Sequence, residues 1–158
     1  MADLDIYPDG DNVPPPKIVD LTTFENGDWN GWTKGPAGPN LKIHTYLNNG
    51  YLWAGGNFDG PIPAGSVISK SYQLSPGTRY SFSIDFSKSP PFPIAQLALI
   101  AGSHSGPKFS ISAADGGWET QTFHFTASTA TTVLSLHSYE GTAPNLQFRI
   151  DNILLRES

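Results

Sequence analysis

The chain has no cysteine. Disulfide staples, thiolate metal centres and cysteine nucleophiles are therefore excluded, and an oxidising or a reducing compartment suits it equally. Charge is also sparse. Only 15% of the 158 residues are charged, 14 acids against 9 bases, for a net charge of -5. No basic run of five or more residues occurs, so nucleic acid is not an expected partner. No apolar stretch approaches the length of a membrane span, so membrane insertion is not expected either. The opening Met1-Ala2-Asp3-Leu4-Asp5-Ile6-Tyr7 lacks the basic and apolar regions of a standard signal peptide. A surface or extracellular location would need another export route or a larger parent. Catalytic signatures are missing too: no nucleophile elbow, no His-Glu-x-x-His, no glycine-rich phosphate loop. His44, His104, His124 and His137 are scattered, and nothing in the spacing of Asp85, Glu119 and Glu140 fixes a hydrolytic carboxylate pair. The chain reads as non-catalytic.

Turn formers and rings are what it does have: 16 Gly, 14 Pro, 4 Trp, 6 Tyr and 9 Phe. That composition belongs to short strands rather than helices. Period-two alternation is plain. Tyr80, Phe82, Ile84 and Phe86 alternate with Ser81, Ser83, Asp85 and Ser87. Phe123 and Phe125, Leu134 and Leu136, and Leu146, Phe148 and Ile150 follow the same rule. Asn49-Gly50 reads as a hairpin turn between 41–47 and 51–54, and Ser75-Pro76-Gly77-Thr78 as a tight turn between two strands. No run of ten residues carries a helical period. Eight to ten short strands with regular turn signals predict an all-β antiparallel β-sandwich over residues 17–158. Residues 1–16, ending in Pro14-Pro15-Pro16, read as a Pro-rich arm or linker.

The two ends of this domain match. Phe24-Glu25-Asn26-Gly27 near the start and Arg149-Ile150-Asp151-Asn152-Ile153 near the finish each join a β-rich run to one acid. First and last strands of a sandwich often lie side by side. Glu25 and Asp151 would then share one site, and two carboxylates at a sheet edge suit a hard cation such as calcium. The alternative is a pair of strand-end residues bonded to nearby backbone N–H groups.

The order of these motifs resembles the jelly-roll carbohydrate-binding modules with a galactose-binding-like fold. The resemblance rests on Phe24-Glu25-Asn26-Gly27 with Gly31-Trp32, on 68–84 around its Pro-Gly-Thr turn, on 118–127, and on 149–153. It implies a buried structural calcium held by Glu25 and Asp151, with Thr23, Gly27 and the Asn48-Asn49 turn as candidate carbonyl donors. It also implies Trp32 as a packed residue closing one end of the core.

Sugars are held by rings stacked on their C–H faces and by planar polar side chains reading hydroxyls. On the polar faces of the predicted strands stand Asp85, Gln96, His137 and Arg149, with Tyr46, Trp53 and Tyr139 as stacking candidates. These define an expected groove for a glycan or polysaccharide. The competing reading for each residue is a solvated outer face. Trp29, in a polar turn, and the loops 57–63 and 102–107 are further candidate contacts. The alternative for the whole chain is a structural or protein-interaction module of a larger surface, phage or toxin assembly.

Overall fold

The computed structural model describes residues 17–38, 41–47, 49–54, 64–88, 96–112, 117–139 and 148–158. The arm 1–16, the loop 57–63, Asn48, Glu140 and the side chain of Tyr46 lie outside the described residues.

The strands are β1 (Ile18–Thr22), β2 (Thr33–Lys34), β3 (Lys42–Tyr46), β4 (Asn49–Ala54), β5 (Gly65–Gln73), β6 (Arg79–Lys88), β7 (Gln96–Ala101), β8 (His104–Ser105), β9 (Phe109–Ser110), β10 (Glu119–Thr126), β11 (Thr131–Ser138) and β12 (Phe148–Glu157). A three-residue 3-10 turn, Glu25–Gly27, is the one helical element among the described residues. Two six-stranded sheets form. Sheet one runs β10-β6-β12-β4-β3, with β1 also beside β12. Sheet two runs β2-β5-β11-β7-β8, with β9 also beside β7. All pairings are antiparallel. The architecture is the expected antiparallel sandwich.

Alternation decides the core. Tyr80, Phe82, Ile84 and Phe86 of β6 are buried, as are Leu134 and Leu136 of β11, which face them from sheet two. Trp32 is also buried, stacked on Phe82 at 6.2 Å. Gly77 takes φ 87 inside the Ser75–Thr78 turn, where a side chain would be strained, and Thr78 N–H donates to Ser75 O at 3.1 Å.

Two local features differ from plain alternation. Between Asp151 and Leu154, β12 inserts one extra residue against β6, and Asn152 takes φ 48. This bulge switches which parity faces inward. Phe148 and Ile150 are buried before it, Ile153 and Leu155 after it. The two halves of β12 then serve different partners: Phe148, Arg149 and Ile150 pair with β4, while residues 153–156 pair with β1.

The hairpin β3–β4 forms, but not with its turn at Asn49-Gly50. Tyr46 pairs with Asn49 and Thr45 with Gly50, so both residues already belong to β4, and Leu47 takes φ 51 at the turn. Gly50 has another task. A Cβ there would lie 2.2 Å from the Phe24 carbonyl oxygen, so only glycine lets β4 pass under the Glu25 turn.

A polar lock ties β1 to sheet two. Asp20 Oδ2 accepts from Lys70 Nζ at 2.8 Å and from Tyr72 OH at 2.7 Å, and Asp20 Oδ1 from Asn30 Nδ2 at 2.9 Å. Asn30 Nδ2 and Trp32 Nε1 both donate to Thr22 Oγ1, at 2.8 and 3.2 Å. The turn carrying Trp32 is thereby fixed to β1.

Candidate functional site

The outer face of sheet one is built in rows. Because facing residues of antiparallel strands project to the same side, the registers place Lys42 (β3), Trp53 (β4), Arg149 (β12) and Ser87 (β6) on one line across four strands. Their neighbours Leu52, Ile150 and Phe86 point into the core, so this line lies on the opposite face of the sheet, with Ser87 itself buried there. Two residues along, a second outward row holds His44 and Tyr51 on β3 and β4, then Asp151, Asp85 and Thr120 on β12, β6 and β10.

The rings on this face touch in sequence. His44 lies 5.4 Å from Tyr51 and 6.0 Å from Trp53. Trp118, 41% exposed just before β10, reaches Tyr51 at 6.2 Å, edge to face. β6 and β12 stand between those two strands, a backbone separation of about 14 Å at the usual strand spacing. Trp118 and Tyr51 therefore span the middle strands. Lys42 Nζ sits 5.1 Å from the Trp53 ring and the Arg149 guanidinium 5.8 Å from the Tyr51 ring. Arg149 also donates to Ser87 Oγ at 3.4 Å.

At one end of this face the carboxylates gather. The Glu25 turn sits where β1 leaves β12 and β4 joins it, opposite the bulge. Asp151 is only 5% exposed. Its Oδ1 accepts from the Asn152 N–H at 2.8 Å. Burial pushes its carboxyl up to about 6; the nearby Glu25 and Asp85 add to the rise, and bonds from Asn152 and Asn49 oppose it. Glu25 Oε1 accepts from Gly50 N–H at 3.1 Å. Asp85 accepts from Thr120 Oγ1 at 2.6 Å and Asn152 Nδ2 at 2.9 Å. The backbone here is strained: Phe24 and Asn26 hold φ 57 and 58, a conformation costing about 1–3 kcal/mol each outside glycine. A buried, acid-crowded corner built by two left-handed residues fits a hard cation chemically. No group of three or more His, Asp or Glu side chains with metal-binding geometry occurs among the described residues. Backbone oxygens would have to complete any shell. Thr23 stands beside the turn, half-buried.

The structure divides the sequence-predicted groove. Trp53, Asp85 and Arg149 share the outer face of sheet one, and the backbone of Tyr46 belongs to the same sheet, paired with Asn49 at the turn end of β3. Gln96, His137 and Tyr139 belong to β7, β11 and the residue after β11, in sheet two. There His137 and Tyr139 rings lie 5.5 Å apart and Lys108 Nζ is 4.3 Å from the Tyr139 ring. The two groups are on opposite sides of the sandwich. Trp29 is half-buried and packs edge-on to Phe24 at 6.2 Å, as part of the core rim.

Sequence reasoning passed over Lys42, His44, Tyr51 and Trp118. The signal for three of them was present. Lys42, His44 and Tyr46 alternate with Ile43 and Thr45, and Tyr51 alternates with Trp53 around Leu52.

Solved structures share this fold. The chain superposes on the CBM22-1–GH10 modules of Clostridium thermocellum endo-1,4-beta-D-xylanase 10B complexed with xylohexaose, with TM-score 0.61 and 14% identity over 90% of this chain. It spans 28% of that xylanase chain. It matches the EclA C-terminal domain, a sugar-binding protein, with TM-score 0.61 and 22% identity over 86% of this chain and 97% of that one. It matches the K3 cleaved adhesin domain of the Lys-gingipain of Porphyromonas gingivalis with TM-score 0.68 and 14% identity, over 91% of this chain and 100% of that one. The fold is a jelly roll like those of these sugar-binding and adhesin domains. No protein-family model and no curated protein sequence matches the chain.

Proposed function

We propose that this jelly roll is a non-catalytic carbohydrate-binding module, with its glycan laid across the outer face of sheet one. The observation that carries this reading is the connected series of rings, Trp118–Tyr51–His44–Trp53, on an otherwise polar sheet face. A core-packing role does not account for rings projecting from the outer face. The strand spacing of about 4.8 Å is close to the length of one sugar residue. A polysaccharide crossing the strands therefore meets a new row member at each step, with Arg149 and Asp85 placed to read hydroxyls.

Affinity electrophoresis against a panel of soluble polysaccharides tests the site. Trp53→Ala and Tyr51→Ala are each expected to weaken retention about tenfold or more, the loss of a stacking ring worth about 1.4 kcal/mol. Tyr139→Ala, on the far sheet, is expected to leave it unchanged. Loss with Tyr139→Ala and retention with both other variants would move the site to sheet two.

The module also holds a structural calcium, in this reading, through Glu25 and Asp151 with backbone oxygens of the neighbouring turn. Support comes from the buried, like-charged corner and its strained turn. The ion would tie the first and last strands together and take no part in sugar chemistry.

A further inference from the structure

Lys42 and Arg149 are the two cations in the outer row of sheet one that also holds Trp53. Among the described residues the single salt bridge is Lys70–Asp20 at 2.8 Å. Neither Lys42 nor Arg149 has a carboxylate partner there, although Asp85 and Asp151 stand only one row away. Those acids are occupied by neutral donors: Thr120 and Asn152 hold Asp85, and the Asn152 N–H holds Asp151. The two cations instead rest on rings, Lys42 on Trp53 and Arg149 on Tyr51. In the row Lys42–Trp53–Arg149, the tryptophan thus has a positive charge on each side.

This placement has an energetic consequence for any sugar that stacks on those rings. The sugar must take the ring face from the cation, which gives up its exposed cation–π attraction. A neutral sugar offers the displaced cation only hydroxyls. A sugar with a carboxylate offers a charge-assisted hydrogen bond, which is stronger than the attraction given up. The exchange is unfavourable to neutral in the first case and favourable in the second.

Resting on the carbohydrate-binding reading of this face, we infer that its ligand is an acidic polysaccharide, one whose uronate carboxylate is received by Lys42 and Arg149 on either side of Trp53. The acid corner at Glu25, Asp85 and Asp151 sets the polarity of the site: the carboxylate goes to the Lys42–Arg149 row, two residues along the strands from that corner.

The test measures affinity of the whole chain for glucuronoxylan, polygalacturonate and alginate, each beside the same polymer with its uronates chemically reduced to alcohols. Neutral arabinoxylan and mixed-linkage glucan complete the panel. The expected result is an acidic polymer bound about tenfold more tightly than its reduced partner, with the difference shrinking in high salt. Lys42→Gln with Arg149→Gln should erase that difference, and Lys42→Arg with Arg149→Lys should keep most of it. Unchanged melting curves establish that the variants fold. Equal binding within every pair, or binding to neutral polymers alone, overturns the acidic-ligand inference and leaves the carbohydrate reading standing. Silence across the whole panel from folded protein overturns both.

Discussion

Replacing Asp20 by alanine lowers the unfolding free energy by an expected amount of about 3 kcal/mol, because it takes the counter-ion from a partly buried ammonium and an acceptor from two further donors. For a domain of this size that is roughly 6–12 °C in melting temperature. Lys70 and Asp20 are only 18% and 22% exposed; Tyr72 loses its acceptor with the carboxylate and Asn30 loses one of its two. The loss also loosens Trp32, since Asn30 shares its amide between Asp20 and Thr22, and Thr22 receives the indole N–H. Acid should reproduce the effect. Burial alone would raise the Asp20 carboxyl, but the bonds from Lys70, Tyr72 and Asn30 and the charge of Lys70 outweigh it, and the group ends below its ordinary 3.8. A carboxyl depressed in the folded state contributes stability above its unfolded value and loses it as pH falls through the folded one. The gap between parent and Asp20→Ala should therefore be full at about pH 7 and narrow as the pH falls below the ordinary 3.8. Thermal melts across that range decide it. A gap independent of pH would mean that the carboxylate's charge is not what holds the lock.

Asp151→Asn should do two opposite things. In chelator the variant is expected to melt a few degrees above the parent, because a buried carboxylate facing Glu25 and Asp85 is exchanged for a neutral isostere that still accepts from the Asn152 N–H; a gain of about 1–2 kcal/mol is of the right order. In excess calcium the order should reverse. The parent gains about 2.7 kcal/mol when the ion is a hundredfold above its dissociation constant, and the variant, lacking a ligand, gains little. Glu25→Gln should likewise lose the calcium response. Paired melts with calcium and with chelator read all of this directly. A parent indifferent to calcium defeats the metal reading. A variant that melts lower in chelator shows that Asp151 serves the bulge rather than a cation.

Much of the fold was legible because half-buried strands write their period into the chain. β6, β10 and β11 fall where Phe82, Phe125 and Leu134 alternate with polar residues, and the Ser75–Thr78 turn forms where Pro76 and Gly77 place it. Even the meeting of first and last strands was anticipated, as β1 and β12 pair from Ile18 with Arg156 to Thr22 with Ile153. The Asn49-Gly50 turn was misplaced for a reason the local pattern does not contain. Gly50 is required by the Phe24 carbonyl, which arrives from 26 residues earlier in the chain. The bulge in β12 was invisible for a similar cause: its two halves answer to different partners.

By itself, then, the sequence determined an all-β chain, the apolar face of most strands, the core rings and the joining of the two ends, since each follows from period-two burial and local turn chemistry. It also supplied the rings and cations of one sheet face. Tertiary structure alone decided which of them act together. Strand order within a sheet is non-local, so Trp53, Asp85 and Arg149 were joined to Lys42, His44, Tyr51 and Trp118 on one face. The same order sent Gln96, His137 and Tyr139 to the opposite sheet. Alternation tells each side chain whether it faces the core or solvent; only the order of strands tells it which neighbours it has there.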